Sequence, residues 1–478
     1  MGPLQQPGQG LVTVLPFSQP SPSAAAAAAV TPNGTSSRPV PAESGERAMT
    51  EGVFSLLLPL APNTYSPGTA DEIALYDRQI RLWGMRAQEK IRSAHVLLIT
   101  MRALGNEVAK NLVLAGIGAL TIVDPACVTE ADLGAQFLLG TAAAGSADAV
   151  LIGEAASEAE RTAAATAAAA VVLGTNRATA ASGPLRLMNP RVRISVDSAS
   201  DIRKQAPGFY AGFDLVVATD LDPDTLTIVN TATRIADRPL YAAGTYGFAG
   251  FIFADLIEHD FVIVRDRANV AAQPGVAETR TRTIVDVQQQ PGSKEAVTKR
   301  ELYSTWLLAS DAAGLPDAIR RSNRRLRNVN ATLPCLRALW EFQQLHPQQR
   351  LPNPDLSADL ATFTRLVGRK QQALGIPPIS AERIRLFLQG IAAGLGSEIS
   401  PVVTAVGGEL AQDVINSLGH TQQPIQNLLV FDGANAQALT YALHPEGPLG
   451  RQLLAAATKP SPETAARAMA AVVAASAA

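Results

Sequence analysis

The stretch from His95 to Asp124 constrains this chain more than any other. His95 to Thr100 is a short, mostly apolar run of strand length, the pattern of a strand covered on both faces. Leu104, Val108, Leu112 and Ala115 then recur at helical spacing, and Gly116 follows as a stop signal. A second apolar run, Ala119 to Val123, ends on Asp124. The order is strand, tight turn, helix, strand, acid, and only a parallel pairing with the helix laid across the sheet accommodates it in so few residues.

That alternation returns further along. Strands are expected at Val192 to Val196, Asp214 to Thr219, Leu240 to Ala243 and Phe248 to Leu256, with a helix from about Asp224 to Ala236. The fold class that follows is α/β, a Rossmann-like, doubly wound and mostly parallel sheet. One departure is built into its first turn. A dinucleotide loop there would read G-x-G-x-x-G, because bare backbone must approach a pyrophosphate. Met101, Arg102 and Ala103 fill the turn instead, and only Gly105 remains.

Composition divides the rest. Residues 1–65 are rich in Pro, Gly, Ser and Ala, which bury too little apolar surface to offset ordering entropy, so a disordered tail is expected. The α/β frame spans 66–257 and is interrupted at 140–172 by an alanine-rich insertion. A mainly helical lobe inserted over 258–395 follows, its helical pattern running from about Ser310 to Gly394. Residues 396–445 return to the frame with a helix over 401–418, stopped by Gly419, and two strands in NLLVFDG and ALTYAL. An alanine-rich tail or helix closes the chain over 446–478.

A net charge of −2 gives no general attraction to nucleic acid or anionic lipid. No apolar run reaches the length of a membrane span, and no secretory leader pattern opens the chain. Two cysteines, Cys127 and Cys335, make neither a disulfide framework nor a metal-ligand spacing, which suits a reducing compartment. Neither nucleic acid nor membrane is expected as a partner, and the expected location is the nucleus and cytoplasm.

Eight blocks carry a resemblance: YDRQIRLWG (Tyr76 to Gly84), AKNLVLAGIG (Ala109 to Gly118), Val123-Asp124, GAQFL (Gly134 to Leu138), TNRA (Thr175 to Ala178), MNPRV (Met188 to Val192), GTYGFAGFIFADL (Gly244 to Leu256) and GGELAQDVINSLG (Gly407 to Gly419). In this order and spacing they resemble the ubiquitin-like-protein activating enzymes of the ThiF and MoeB adenylation fold. More narrowly, they are similar to the small, Aos-type subunits of SUMO-activating heterodimers.

The resemblance implies an adenylation fold that serves ATP-dependent activation of the SUMO C-terminus, with transfer to a cysteine of the large partner subunit. It also implies a degenerate half. Where active members carry N-L-N-R-Q-F, this chain reads Asp132-Leu133-Gly134-Ala135-Gln136-Phe137, and Arg177 stands where a lysine is expected. Asp124 matches a ribose-binding acid and Asp220 a metal-side aspartate, so these two are the cofactor-binding candidates, while ATP and Mg are expected mainly on the partner. Arg78 is the candidate catalytic residue, delivered in trans to the partner's ATP, with Arg81 as the fallback. No metal site of the chain's own is expected.

Plainer readings stand beside these. Arg78 and Arg81 also fit solvated charges on an amphipathic helix, and Asp124 a strand-end turn residue. Cys335, in TLPCLRALWEF, reads as one position of an apolar helix, and Cys127 as structural. The arginines of RRSNRRLR (Arg320 to Arg327) read as a solvated helix face ahead of an import or partner patch. The competing functions are the corresponding subunit of the neddylation activating enzyme and, from another class, an NAD-dependent oxidoreductase, which the missing glycines disfavour.

Overall fold

The computed structural model describes residues 70–139, 172–267, 271–393 and 398–445. The expected N-terminal tail, the alanine-rich insertion apart from Val172, and the closing segment 446–478 lie outside the described residues.

Three helices lead in: α1 (Ala70–Leu75), α2 (Asp77–Trp83) and α3 (Met85–Ser93). The frame follows as β1 (His95–Ile99), α4 (Ala103–Ala115), β2 (Ala119–Val123), α5 (Arg177–Met188), β3 (Arg193–Asp197), β4 (Leu215–Thr219), α6 (Pro223–Ile235), β5 (Leu240–Tyr246) and β6 (Ala249–Asp255). Next come β7 (Glu258–Asp266), β8 (Arg282–Gln290) and β9 (Lys294–Leu302), then α7 (Thr332–Leu345), α8 (Ser357–Leu374) and α9 (Ala381–Ala393). The described chain closes with α10 (Ser400–Gly419), β10 (Leu428–Asp432) and β11 (Gln437–Tyr441).

The main sheet has 8 strands in the order β11-β10-β6-β5-β4-β1-β2-β3. From β3 to β5 every pairing is parallel, and from β5 outward through β6, β10 and β11 every pairing is antiparallel. Strand order reverses at β1, with β2 and β3 laid to one side and β4 and β5 to the other. Such a switch point opens a crevice at the C-terminal ends of the strands.

Alternation along β1 sorts the core into two layers. Val96 and Leu98 face a layer built by α4, α5 and α10, through Leu104, Leu112, Leu185, Leu410 and Val414. Leu97 and Ile99 face the opposite layer, where α6 is joined by α7, α8 and α9 through Leu336, Leu339, Phe363 and Leu388. The helices of 258–395 are therefore inserted in sequence but not set apart in space: they cover one face of the main sheet. Leu112 is wholly buried, and truncating such a leucine to alanine costs about 2–5 kcal/mol.

Two details refine the sequence reading. The inserted region opens with a 3-stranded antiparallel sheet, β7-β9-β8, in a stretch to which no element was assigned. The last helix runs through Gly419, and His420 (φ 54°) takes the left-handed cap expected of the glycine.

Glycine survives in the frame where the backbone leaves no room. A Cβ on Gly105 would stand 2.4 Å from the Thr100 carbonyl oxygen, so the residue is kept for the approach of helix to strand. Gly116 ends α4 with φ 79°, and a Cβ there would meet the Tyr76 hydroxyl at 2.5 Å.

Candidate functional site

The crevice at the switch point is a cavity of about 650 Å³, lined by Thr100, Arg102, Asp124, Asp132, Arg177 and Asp220 among others. Its floor is made by strand ends. Thr100 (φ 73°) and Asp220 (φ 53°) follow β1 and β4 in left-handed backbone that non-glycine residues seldom adopt. The Thr219 hydroxyl donates to the Thr100 carbonyl at 2.9 Å and so ties the two strand ends together.

Asp124 stands where the sequence placed it, at the end of β2, and every one of its contacts is made within the protein. Its Oδ2 accepts from the Met101 N–H at 2.8 Å and its Oδ1 from the Ala126 N–H at 2.9 Å. Arg177, at the start of α5, adds a two-pronged pair, Nε to Oδ2 at 3.0 Å and Nη2 to Oδ1 at 3.2 Å. The carboxylate is buried, with 2% of its side chain exposed. Arg177 also reaches Asp132, Nη1 to Oδ1 at 3.5 Å.

Asp132 is itself engaged: it accepts from the Thr129 N–H at 2.8 Å and the Thr129 hydroxyl at 2.7 Å in a capping box. Arg177 thus pairs with both Asp132 and the candidate ribose acid, Asp124.

The start of α4 is occupied in the same way. No side chain of the N-cap residue, Arg102, caps it. Glu398, which precedes α10, does so from across the fold: the Ala103 N–H donates to Oε2 at 3.0 Å and the Leu104 N–H to Oε1 at 3.3 Å. Arg102 Nε lies 3.5 Å from Oε2.

Asp220 sits beside this group, and its Oδ1 accepts from the Thr245 N–H at 3.3 Å. Burial first, and the neighbouring Glu398 carboxylate second, push the Asp220 carboxyl up to about 7, against the pull of Arg102. A group held neutral into that range and already facing a second carboxylate is a poor companion for the negative charge of a nucleotide.

The triphosphate of ATP does not fit these residues. The helix N-terminus that should face phosphate holds a carboxylate, the acid that should face ribose holds an arginine, and the turn lacks the glycines that let a pyrophosphate approach. Sequence reasoning found Asp124, Asp220 and Arg177 separately but missed Glu398. No local signal marks that residue, because its partner Leu104 lies 294 positions away.

Arg78 and Arg81 lie elsewhere, on α2, which buries no residue of its own. Tyr76, immediately before α2, anchors it: the Asn189 side-chain amide donates to the Tyr76 hydroxyl at 2.8 Å, and the Tyr76 ring lies over Gly116. Gln79 donates to the Leu114 carbonyl at 3.3 Å. These contacts fix α2 at the C-terminal end of α4, whereas the cavity opens at its N-terminal end. A helix of 13 residues holds the two ends roughly 20 Å apart. Arg81 is paired with Asp77 at 3.0 Å, while Arg78 is exposed and forms no ion pair among the described residues.

A mostly parallel sheet with a nucleotide-type crevice and an activating-enzyme block at its start defines a class, and residues 76–172 match the model of the ThiF family. Relatives extend the likeness. The chain is 32% identical to the DNA damage tolerance protein RHC31 of Saccharomyces cerevisiae over 76% of its own length and 94% of that protein. It is 30% identical to SUMO-activating enzyme subunit 1 of Xenopus laevis, covering 78% of this chain and 96% of that one. The figures for the DNA damage tolerance protein rad31 of Schizosaccharomyces pombe are 30%, 78% and 98%. The chain belongs to the SUMO-activating enzyme subunit 1 family.

Proposed function

We propose that this chain is the non-thioester subunit of a heterodimeric SUMO-activating enzyme, supporting ATP-dependent adenylation of the SUMO C-terminus and its transfer to a cysteine of the large subunit. ATP and Mg are held mainly by that partner. Family membership favours SUMO over the neddylation modifier, since the relatives named for an activity are SUMO-activating enzyme subunits. An NAD-dependent oxidoreductase is disfavoured by the missing turn glycines and by the carboxylate held at the start of α4.

The observation that carries the division of labour is the placement of Arg78. It stands at the far end of α4 from the crevice, exposed on a surface helix. A guanidinium in that position cannot serve the chain's own crevice and is free to be delivered to a triphosphate on the partner, where its fork of donors stabilises charge as it redistributes over the phosphates. The same helix and its surroundings expose apolar side chains, Leu75 (55%), Leu82 (72%) and Leu114 (48%), which supports a protein partner on this side. The nucleus and cytoplasm are the proposed location, consistent with two cysteines that are both free.

The test is affinity capture of the full chain from cells, with identification of the co-purified large subunit and of the modifier loaded on its cysteine. SUMO on that cysteine supports the reading. A different modifier there, or pyrophosphate exchange by the chain alone, overturns it.

A further inference from the structure

We infer that Glu398 is a resident counter-anion, a carboxylate that takes the seat of a phosphate at the N-terminus of α4 and keeps phosphate-bearing ligands from that helix end. This inference rests on the reading above that the chain holds no nucleotide of its own, and supplies the means.

The seat has the donors of an anion site. Two successive backbone N–H groups, of Ala103 and Leu104, each donate to a different oxygen of the carboxylate, and the Arg102 guanidinium stands 3.5 Å away. The helix behind them is 13 residues long, so its dipole is fully developed at that end. The Glu398 side chain is 6% exposed, so the pairing is made largely out of water, where such charge-assisted bonds are strong.

A cap needed only to finish a helix would ordinarily come from the N-cap residue itself, within the turn. Here the capping group arrives from 294 positions away and is placed beside Asp220, a second carboxyl already pushed up by burial and pushed further by Glu398. Two carboxyls set together at this end of α4 disfavour any further negative charge there.

The cavities agree. Glu398 borders a cavity of about 230 Å³, and Arg102, Asp220 and Leu221 border both that cavity and the larger crevice. Removing the Glu398 side chain takes the carboxylate from the Ala103 and Leu104 N–H groups, beside residues that the two cavities share.

The experiment uses the full chain with inorganic pyrophosphate as the probe, followed by calorimetry and by thermal melting. Wild type is measured first: pyrophosphate or ATP binding there would overturn the reading that the chain holds no nucleotide of its own, before any variant is compared. Glu398→Ala is expected to bind pyrophosphate at least tenfold more tightly than wild type and to melt several degrees higher in its presence. An unstable variant falls within the same titration, because an anion that fills the vacated seat restores the melting temperature. Glu398→Gln keeps the seat filled by an isosteric side chain and is expected to gain nothing. If Glu398→Ala binds pyrophosphate no better than wild type and is not rescued by it, Glu398 is a helix cap alone and the inference is overturned. Equal gains in the Ala and Gln variants would also overturn it, since the seat would then not be the site of binding.

Discussion

The guanidinium of Arg177 grips the carboxylate of Asp124 by two nitrogens, Nε at 3.0 Å from Oδ2 and Nη2 at 3.2 Å from Oδ1. Both groups are nearly closed off from solvent, with 13% and 2% of their side chains exposed. Removing the arginine leaves Asp124 and Asp132 without their cation. Arg177→Ala is expected to lower the unfolding free energy by about 3 kcal/mol, read from urea denaturation. Arg177→Lys should recover only part of it, because an ammonium cannot reproduce the two-pronged contact. A melting curve for the alanine variant that overlays wild type would show that the pair contributes nothing to stability.

Asp220 makes stability depend on pH in a definite direction. Its carboxyl is raised to about 7 in the folded chain from an ordinary value of 3.8. Below that ordinary value the group is protonated in both states and costs nothing. As pH rises the unfolded chain loses the proton first, so stability declines until pH passes about 7 and is level thereafter. Asp220→Asn removes this dependence. Melting temperatures taken from pH 5 to pH 8 should show the variant gaining on wild type as pH rises, and parallel curves would reject the assignment.

Arg78→Ala is expected to slow pyrophosphate exchange by the reconstituted heterodimer by about 100-fold, comparable to the loss of one preorganised donor at a developing charge. Assembly should persist, because the apolar side chains exposed around it, Leu75, Leu82 and Leu114, are unchanged. Arg81→Ala should be close to wild type, since Arg81 is spent on Asp77. Exchange at the wild-type rate by both variants excludes a role in trans.

Gly116→Ala should displace Tyr76, whose hydroxyl lies 2.5 Å from the position of the added carbon. The left-handed backbone adds a penalty of about 1–2 kcal/mol to that clash. The expected result is a lower melting temperature together with a loss of exchange activity in the heterodimer, because α2 and Arg78 lose their anchor. A drop in stability with full exchange activity would separate the anchor from the function.

Replacing Cys127 by Ser and Cys335 by Ala together should leave the thioester on the partner intact. Cys335 is 2% exposed, and burial pushes its thiol up to about 12, so it is no nucleophile at neutral pH. Loss of the thioester by a folded, assembled double variant would make one of the two cysteines catalytic.

Much of the frame could be read from the chain because its signals are local. β1, α4 and β2 follow from two apolar runs, one helical stripe and a glycine, all within about 30 positions, and the structure places them within a residue or two. The strands β7, β8 and β9 were missed because they are rich in charge. Glu258–Asp266 alternates buried and open residues only over part of its length, and the pairs that mark the sheet, such as Arg300 with Asp260, join residues 40 positions apart. At the crevice, the identities of Asp124, Arg177 and Asp220 were legible and their engagement was not. That Arg177 answers Asp124 across 53 positions, and Glu398 answers Leu104 across 294, are products of tertiary closure that no window of sequence contains.

The layer that α10 completes has a consequence for the order in which the protein is made. Glu107 of α4 and Thr404 of α10 bond across 297 positions, so the ribosome delivers the greasy stripe of Leu104, Val108 and Leu112 long before its cover. At usual rates of synthesis the wait is roughly 15 to 60 seconds. The edge of β6 waits as well, because β10 pairs with it only after the inserted sheet and helices have emerged. A nascent chain of this design leaves that stripe open to non-native contacts through the interval. A product cut short before Ser400 would keep its first parallel strands and yet present a bare apolar face to the cell's quality control.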